Sequence, residues 1–172
     1  MGKRFLALAA AAAALNLAAA AAVAAVPAHR AAHVRGVDDP RAFVAQRYAG
    51  YRSGTDHVPP DPVWAYSPRL AALFAAYERW QRRHDDEVGS IDFDWWINAQ
   101  DWELSGVSVT AADTGPNART VTARWTNSGR ADSSRFLFVR IGARWYLDDA
   151  VNGTGHGDDG WTLSELLRHP EG

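Results

Sequence analysis

The sequence contains no cysteine, and its single lysine and single methionine stand at its very start. Without cysteine, disulfide frameworks, thiolate zinc sites, cysteine nucleophiles and a lipid-bearing cysteine are all excluded. An excess of positive charge is missing as well. With 18 Lys+Arg against 20 Asp+Glu the net charge is −2, and no basic stripe offers a footprint for nucleic acid. There is no GxSxG elbow, P-loop, SxxK or kinase signature. No HExxH or comparable ligand spacing is present. Neither a cofactor nor a metal is therefore expected. Repeats are absent too, and 172 residues allow one domain rather than two.

What is present is unevenly distributed. All eight Trp lie beyond residue 60, and every acidic residue lies from Asp38 onward. Residues 1–28 read as an export signal. Lys3 and Arg4 supply the charged start, Phe5 to Val26 is apolar except for Asn16, and small residues follow at cleavage spacing (Ala22-Val23-Ala24 or Val26-Pro27-Ala28). Retained, such a run is long enough to anchor the chain in a membrane. The Ala-rich composition and the Pro27-Ala28 ending favour removal, which leaves a soluble periplasmic or secreted domain. Residues 29–37 are small and basic and read as a disordered lead-in. Residues 38–172 form the exported domain.

Within that domain, Asp38 or Asp39 before Pro40 starts a helix whose inward face is Phe43, Val44, Tyr48 and Tyr51. Gly54 to Pro62 is loop. Ser67-Pro68 opens a longer helix with Leu70, Leu73, Phe74, Tyr77 and Trp80 on its apolar face, ending near Glu87. After residue 100 the period changes to two. Strands are expected over Trp102–Ala112 (with a bulge at Gly106), Thr120–Thr126, Arg135–Ile141 and, through a Gly142-Ala143 hairpin, Arg144–Ala150. Arg135–Ile141 is apolar on both faces and belongs in the centre of the sheet. Thr162-Leu163-Ser164-Glu165 matches a capping box for a terminal helix that stops before Pro170. The order predicts an α+β domain: two N-terminal helices and a short C-terminal helix on one face of a curved antiparallel sheet of about four strands.

Four segments together resemble a bacterial exported family of unknown function that includes the YbjP-type lipoproteins. They are Phe43-Val44-Ala45-Gln46-Arg47-Tyr48-Ala49-Gly50-Tyr51-Arg52, Tyr66-Ser67-Pro68-Arg69-Leu70, Phe138 through Asp149, and Trp161-Thr162-Leu163-Ser164-Glu165-Leu166-Leu167. The resemblance runs from about residue 40 to 168. It implies a cone-shaped fold similar to the nuclear-transport-factor-2-like or cystatin-like class, in which helices and a curved sheet can enclose a pocket. It implies no catalytic residues. The lipoprotein members keep a lipid-bearing Cys after the leader, which this chain lacks.

The richest stretch of polar and aromatic side chains is Asp92 to Glu103. Its candidates for ligand or partner binding are Asp92, Asp94, Trp95, Trp96, Gln100, Asp101 and Trp102. Indoles stack on flat or apolar ligand surfaces and donate one hydrogen bond each, while carboxylates fix polar groups. The competing reading is structural: Asp92 or Asp94 caps a short turn through Asn98, and the Trp side chains plug the gap between helices and sheet. A calcium loop is excluded, because counting from Asp92 puts Ile97 where glycine is required. Neither His84-Asp85-Asp86-Glu87 nor His156-Gly157-Asp158-Asp159 has zinc-ligand spacing. Asp149 is the last candidate. Strict alternation in the final strand places it beside Trp145 and Leu147, where a buried acid serves either chemistry or hydrogen bonds from amides or an Arg.

Two functions follow. One is an extracytoplasmic, non-catalytic module that binds an envelope protein, a small molecule or a second copy of itself. The other is a pocket enzyme, hydrolase-like or lyase-like, using Asp94, Asp101 and a Tyr such as Tyr66 as acid and base.

Overall fold

The computed structural model describes residues 35–51, 60–153, 155 and 160–171. The expected leader, most of the expected lead-in, residues 54–59 of the expected loop and His156-Gly157-Asp158-Asp159 lie outside the described residues. Among the described residues no helix is long and apolar enough to cross a membrane.

Helix α1 spans Pro40–Tyr51. Asp39 Oδ1 accepts the amides of Arg41 (2.9 Å) and Ala42 (3.3 Å), while Pro40 has no N–H to satisfy. Helix α2 spans Pro68–Gln81, and Ser67 Oγ accepts the Leu70 amide at 3.1 Å. It stops well short of Glu87. Trp80 is its last apolar anchor, and Arg82-Arg83-His84-Asp85-Asp86-Glu87 offers nothing to bury. The carbonyl of Trp80 instead accepts the amides of Arg83 and His84 and the His84 ring. Helices in proteins persist mainly where one face packs.

The sheet is open, antiparallel and five-stranded: β1 Leu104–Gly115, β2 Ala118–Asn127, β3 Arg130–Ile141, β4 Arg144–Gly153 and β5 Gly160–Thr162, in that spatial order. With helix α3 (Leu163–Arg168) the described residues form an α+β domain with three α-helices. The expected bulge at Gly106 is there, marked by a register shift between Ser105 and Ser108 and a Gly106 φ of +60°. β3 is central, as its two-sided apolar pattern predicts. The fifth strand was hidden in the capping box. Thr162 pairs with Val151, and its hydroxyl donates to the Gly155 carbonyl (2.7 Å) instead of capping α3. Glu165 pairs with Arg168.

One face of the sheet carries the core. Val121, Ala123 and Trp125 of β2, Phe136 and Phe138 of β3, and Leu147 and Ala150 of β4 are buried against Val44, Tyr48, Leu70, Tyr77, Leu163 and Leu167 from the three helices. The other face (Thr120, Thr122, Leu137, Val139, Tyr146) is half-buried, and Ile141 at its end is exposed.

The free edge of β4 is covered in three pieces. Val37 bridges Trp145, Tyr66 bridges Leu147 in parallel, and β5 pairs with Val151–Gly153. Arg35–Val37 is thus ordered, contrary to its reading as lead-in. Gly36 (φ +60°) makes this possible, since a Cβ there would lie 2.8 Å from the Trp145 carbonyl oxygen.

Between the second and third pieces the register slips, because Asp148 is an extra residue: Leu137 opposes Asp149 but Phe138 opposes Leu147. This bulge breaks the alternation expected of Trp145, Leu147 and Asp149. Asp148 accepts the Ser67 hydroxyl (2.5 Å) and Arg69 Nε. Asp149 accepts the amides of Ala150 (2.9 Å) and Ser164 (3.0 Å) and Arg69 Nη2 (3.1 Å). One arginine and two adjacent carboxylates therefore tie the starts of α2 and α3 to β4. Asp149→Ala would strand buried amides and is expected to cost about 2–3 kcal/mol, with Asp149→Asn costing less. Urea unfolding measures both, and an Ala variant as stable as the parent would overturn this role.

Candidate functional site

The stretch between α2 and β1 is a tight loop rather than a helical turn. Asp94 and Ala99 bridge at its base, and the Asp94 side chain accepts the Trp96 amide at 2.9 Å. Asn98 turns the chain at φ +52°, with its amide donating to Asp132 (3.0 Å) and Asn152 (3.3 Å) and its carbonyl oxygen accepting from Trp161 Nε1 (2.8 Å). A chain pinched in this way drops two indoles inward. Trp96 is fully buried and stacks on Phe136 with centroids 4.8 Å apart, and Trp95 packs on Trp96 at 4.5 Å.

Asp94 joins a buried polar group that the sequence reading did not assemble. Its other carboxylate oxygen accepts the Tyr51 hydroxyl at 2.6 Å. The Tyr51 oxygen in turn accepts Arg47 Nη2 (3.2 Å), and Arg47 Nη1 donates to the Pro60 carbonyl (2.8 Å). Arg47 also lies 3.7 Å from the Asp61 carboxylate, which accepts Trp96 Nε1 at 3.2 Å. Tyr48 closes the set by donating to the Trp96 carbonyl. The Arg47 guanidinium is buried, with its plane-forming carbon 5.0 Å from the Trp96 ring centre and 5.4 Å from that of Tyr51. One signal was available in the sequence: Arg47 stands on the stripe of Val44, Tyr48 and Tyr51, where a charge needs a buried partner.

A cleft of about 490 Å³ opens beside this group, between α2 and the loop before β1. Phe74, Tyr77, Glu78 and Gln81 contribute one face of α2, and Ile91, Phe93, Asp94 and Trp95 contribute the other wall, with Arg47, Pro60 and Asp61 completing it. Such a volume suits a small molecule. Among the described residues no three His, Asp or Glu side chains converge as metal ligands.

The sequence candidates separate accordingly. Asp94 and Trp95 line the cleft. Trp96 belongs to the core, and Trp102 packs edge-on against Tyr51 at 5.7 Å. Asp92 and Gln100 clasp each other at the surface, where the Gln100 amide donates to the Asp92 carbonyl (3.2 Å) and carboxylate (3.4 Å). Asp101 is exposed and offers its carbonyl to Asn127. Asp149 sits in the β4 bulge. Asp94 does accept an amide, that of Trp96, but within a tight loop rather than the expected helical turn, and Asp92 caps nothing among the described residues. Neither Asp101 nor Tyr66 is among the residues lining the cleft.

Burial raises the Asp94 carboxyl above its ordinary range, against the pull of the Tyr51 hydroxyl, the Trp96 amide and Arg47. Burial, then the Asp94 charge, raises Tyr51 far above the usual phenol value. Burial, then Asp61, does the same to Tyr66. Both hydroxyls stay protonated, and that of Tyr51 donates to Asp94.

No protein-family model, no curated protein and no solved structure matches the chain.

A carboxyl raised on folding favours the native state most when protonated. That contribution is present below the unfolded carboxyl's range, about pH 4, and is lost as pH rises through the folded value. The melting temperature of the parent minus that of Asp94→Asn is therefore expected to fall between about pH 4 and neutrality. A difference that grows with pH would show that the hydrogen bonds outweigh burial.

Proposed function

We propose that this chain is an extracytoplasmic, non-catalytic binding module whose ligand site is the cleft between α2 and the Asp94 loop. The observation that carries the reading is a small-molecule-sized cleft lined by aromatic side chains and opening beside a buried, hydrogen-bonded Arg47–Tyr51–Asp94 group. Polar groups held by one another before ligand arrives cost little to organise on binding. The export leader supports a periplasmic or secreted location after its removal. The resemblance to the exported family supports export, whereas the cone folds of the nuclear-transport-factor-2-like class hold their pocket between helices and sheet and this cleft has no strand residue in its lining. An envelope protein docking at the half-exposed sheet face is the macromolecular form of the same role.

Native mass spectrometry of the protein purified gently from its host's envelope tests location and occupancy together. The expected species begins after Ala24 or Ala28 and carries extra mass of a few hundred daltons, as a cleft of this size would hold. Ile91→Trp, which fills the cleft, is expected to lose that mass. A bare chain argues against a retained ligand, and an added polypeptide moves the role to protein docking.

A second reading rests on the raised Asp94 carboxyl at the cleft wall, which suits an acid–base group of a pocket enzyme. On that reading Asp94→Asn abolishes turnover of a true substrate, and unchanged turnover removes the assignment.

A further inference from the structure

The lining of the cleft is chemically lopsided, and this bears on what it holds. Among the described residues, three carboxylates border it (Asp61, Glu78 and Asp94) against one cation, Arg47. That cation is already engaged, with one terminal nitrogen on the Pro60 carbonyl, the other on the Tyr51 hydroxyl and the Asp61 carboxylate near by. An incoming anion would meet the three acids and find Arg47 buried behind them. Glu78 is more than half exposed, and its ion pair to Arg82 is loose at 3.8 Å on the helix surface.

The apolar part is equally one-sided. Phe74, Tyr77, Phe93 and Trp95 line the cleft, Phe74 and Phe93 half-buried and Tyr77 and Trp95 almost wholly buried. Phe74 leans on Trp95 at 6.2 Å, and Phe93 is braced by Trp161 at 5.7 Å, so these rings are held in place. Aromatic faces carry negative quadrupole charge, and rings combined with carboxylates attract an ammonium or alkylated ammonium. A neutral apolar guest would leave Glu78, whose contact with Arg82 is loose, without a close partner as it displaced water.

We propose that the cleft takes an organic cation, an ammonium or quaternary-ammonium head on a small apolar body. The proposal rests on the binding-module reading and adds the class of ligand. In it, the half-buried rings of Phe74 and Phe93 meet the alkyl groups around nitrogen, and Glu78 with Asp61 supplies the balancing charge. Asp94 lies deeper and keeps its bonds to Tyr51 and the Trp96 amide.

The test is calorimetric titration of the full mature chain with phenyltrimethylammonium, benzyl alcohol and benzoate as cationic, neutral and anionic probes. The cation is expected to bind roughly tenfold more tightly than the alcohol, and benzoate not at all. Glu78→Gln, a surface change that leaves the fold alone, is expected to weaken only the cation, about threefold, with the effect fading as salt is added. Phe93→Leu should weaken the cation and the alcohol alike. Equal or tighter binding of benzyl alcohol or benzoate, lost in Phe93→Leu, would overturn the cation and leave the binding site standing. Binding of none of the three would also overturn it. In that case extra mass on the native protein preserves the binding-module reading, whereas a bare chain ends both.

Discussion

The carboxylate of Asp94 is the point on which core and cleft both depend. One oxygen holds the Trp96 amide and so shapes the loop that delivers Trp95 and Trp96 into the interior. The other holds the Tyr51 hydroxyl at the end of α1, through which Arg47 is fixed. A charge half-withdrawn from water is costly unless every lone pair is engaged. Here that cost is offset by bonds from two different elements, which fixes their relative position. A loop does the work usually given to a helix, wedging two indoles between α2 and the sheet.

Much of this was legible in the sequence, and the reasons are local. Asp39-Pro40 and Ser67-Pro68 begin helices because each cap and its amides are only a few residues apart. Val121, Ala123 and Trp125 alternate because one face of β2 is buried and the other is not. The Gly142-Ala143 turn and the Gly106 bulge were readable from glycine alone. The failures are all non-local. Thr162 looks like a cap until Val151 is there to pair with it. Asp148 becomes an extra residue only through the register of β3. Arg47 needs Asp61 and Pro60, brought in by the chain beyond α1, before its burial makes sense. Candidate residues gathered by proximity in sequence were scattered for the same reason. A tight loop sends neighbouring side chains in opposite directions, so Asp94 and Trp95 reach the cleft while Asp92, Gln100 and Asp101 remain at the surface.

The paired carboxylates of β4 play a part comparable to that of Asp94, on the opposite flank of α2. Asp148 receives the residue that begins α2, Asp149 receives the residue after the first position of α3, and Arg69 binds both. Helix α2, which supplies one wall of the cleft, is therefore fastened at its N-terminal end and left free of apolar anchors beyond Trp80. The wall is held where it meets the sheet.

The piecewise cover of β4 also dictates an order of events. Strands β1 to β4 follow one another through short turns and zip up from neighbouring contacts. The edge closes only when Val37 reaches Trp145, Tyr66 reaches Leu147 and the last strand folds back. The first two of these pairings span most of the domain and carry the loop-closure entropy of long separations, which slows folding. Until they form, β4 presents an unpaired row of amides and carbonyls, the part of any sheet most prone to capture another chain. The vulnerable interval in this protein's life is thus the time between completing its hairpins and sealing that border. Gly36, by letting the first seal lie flat on Trp145, helps to set its length.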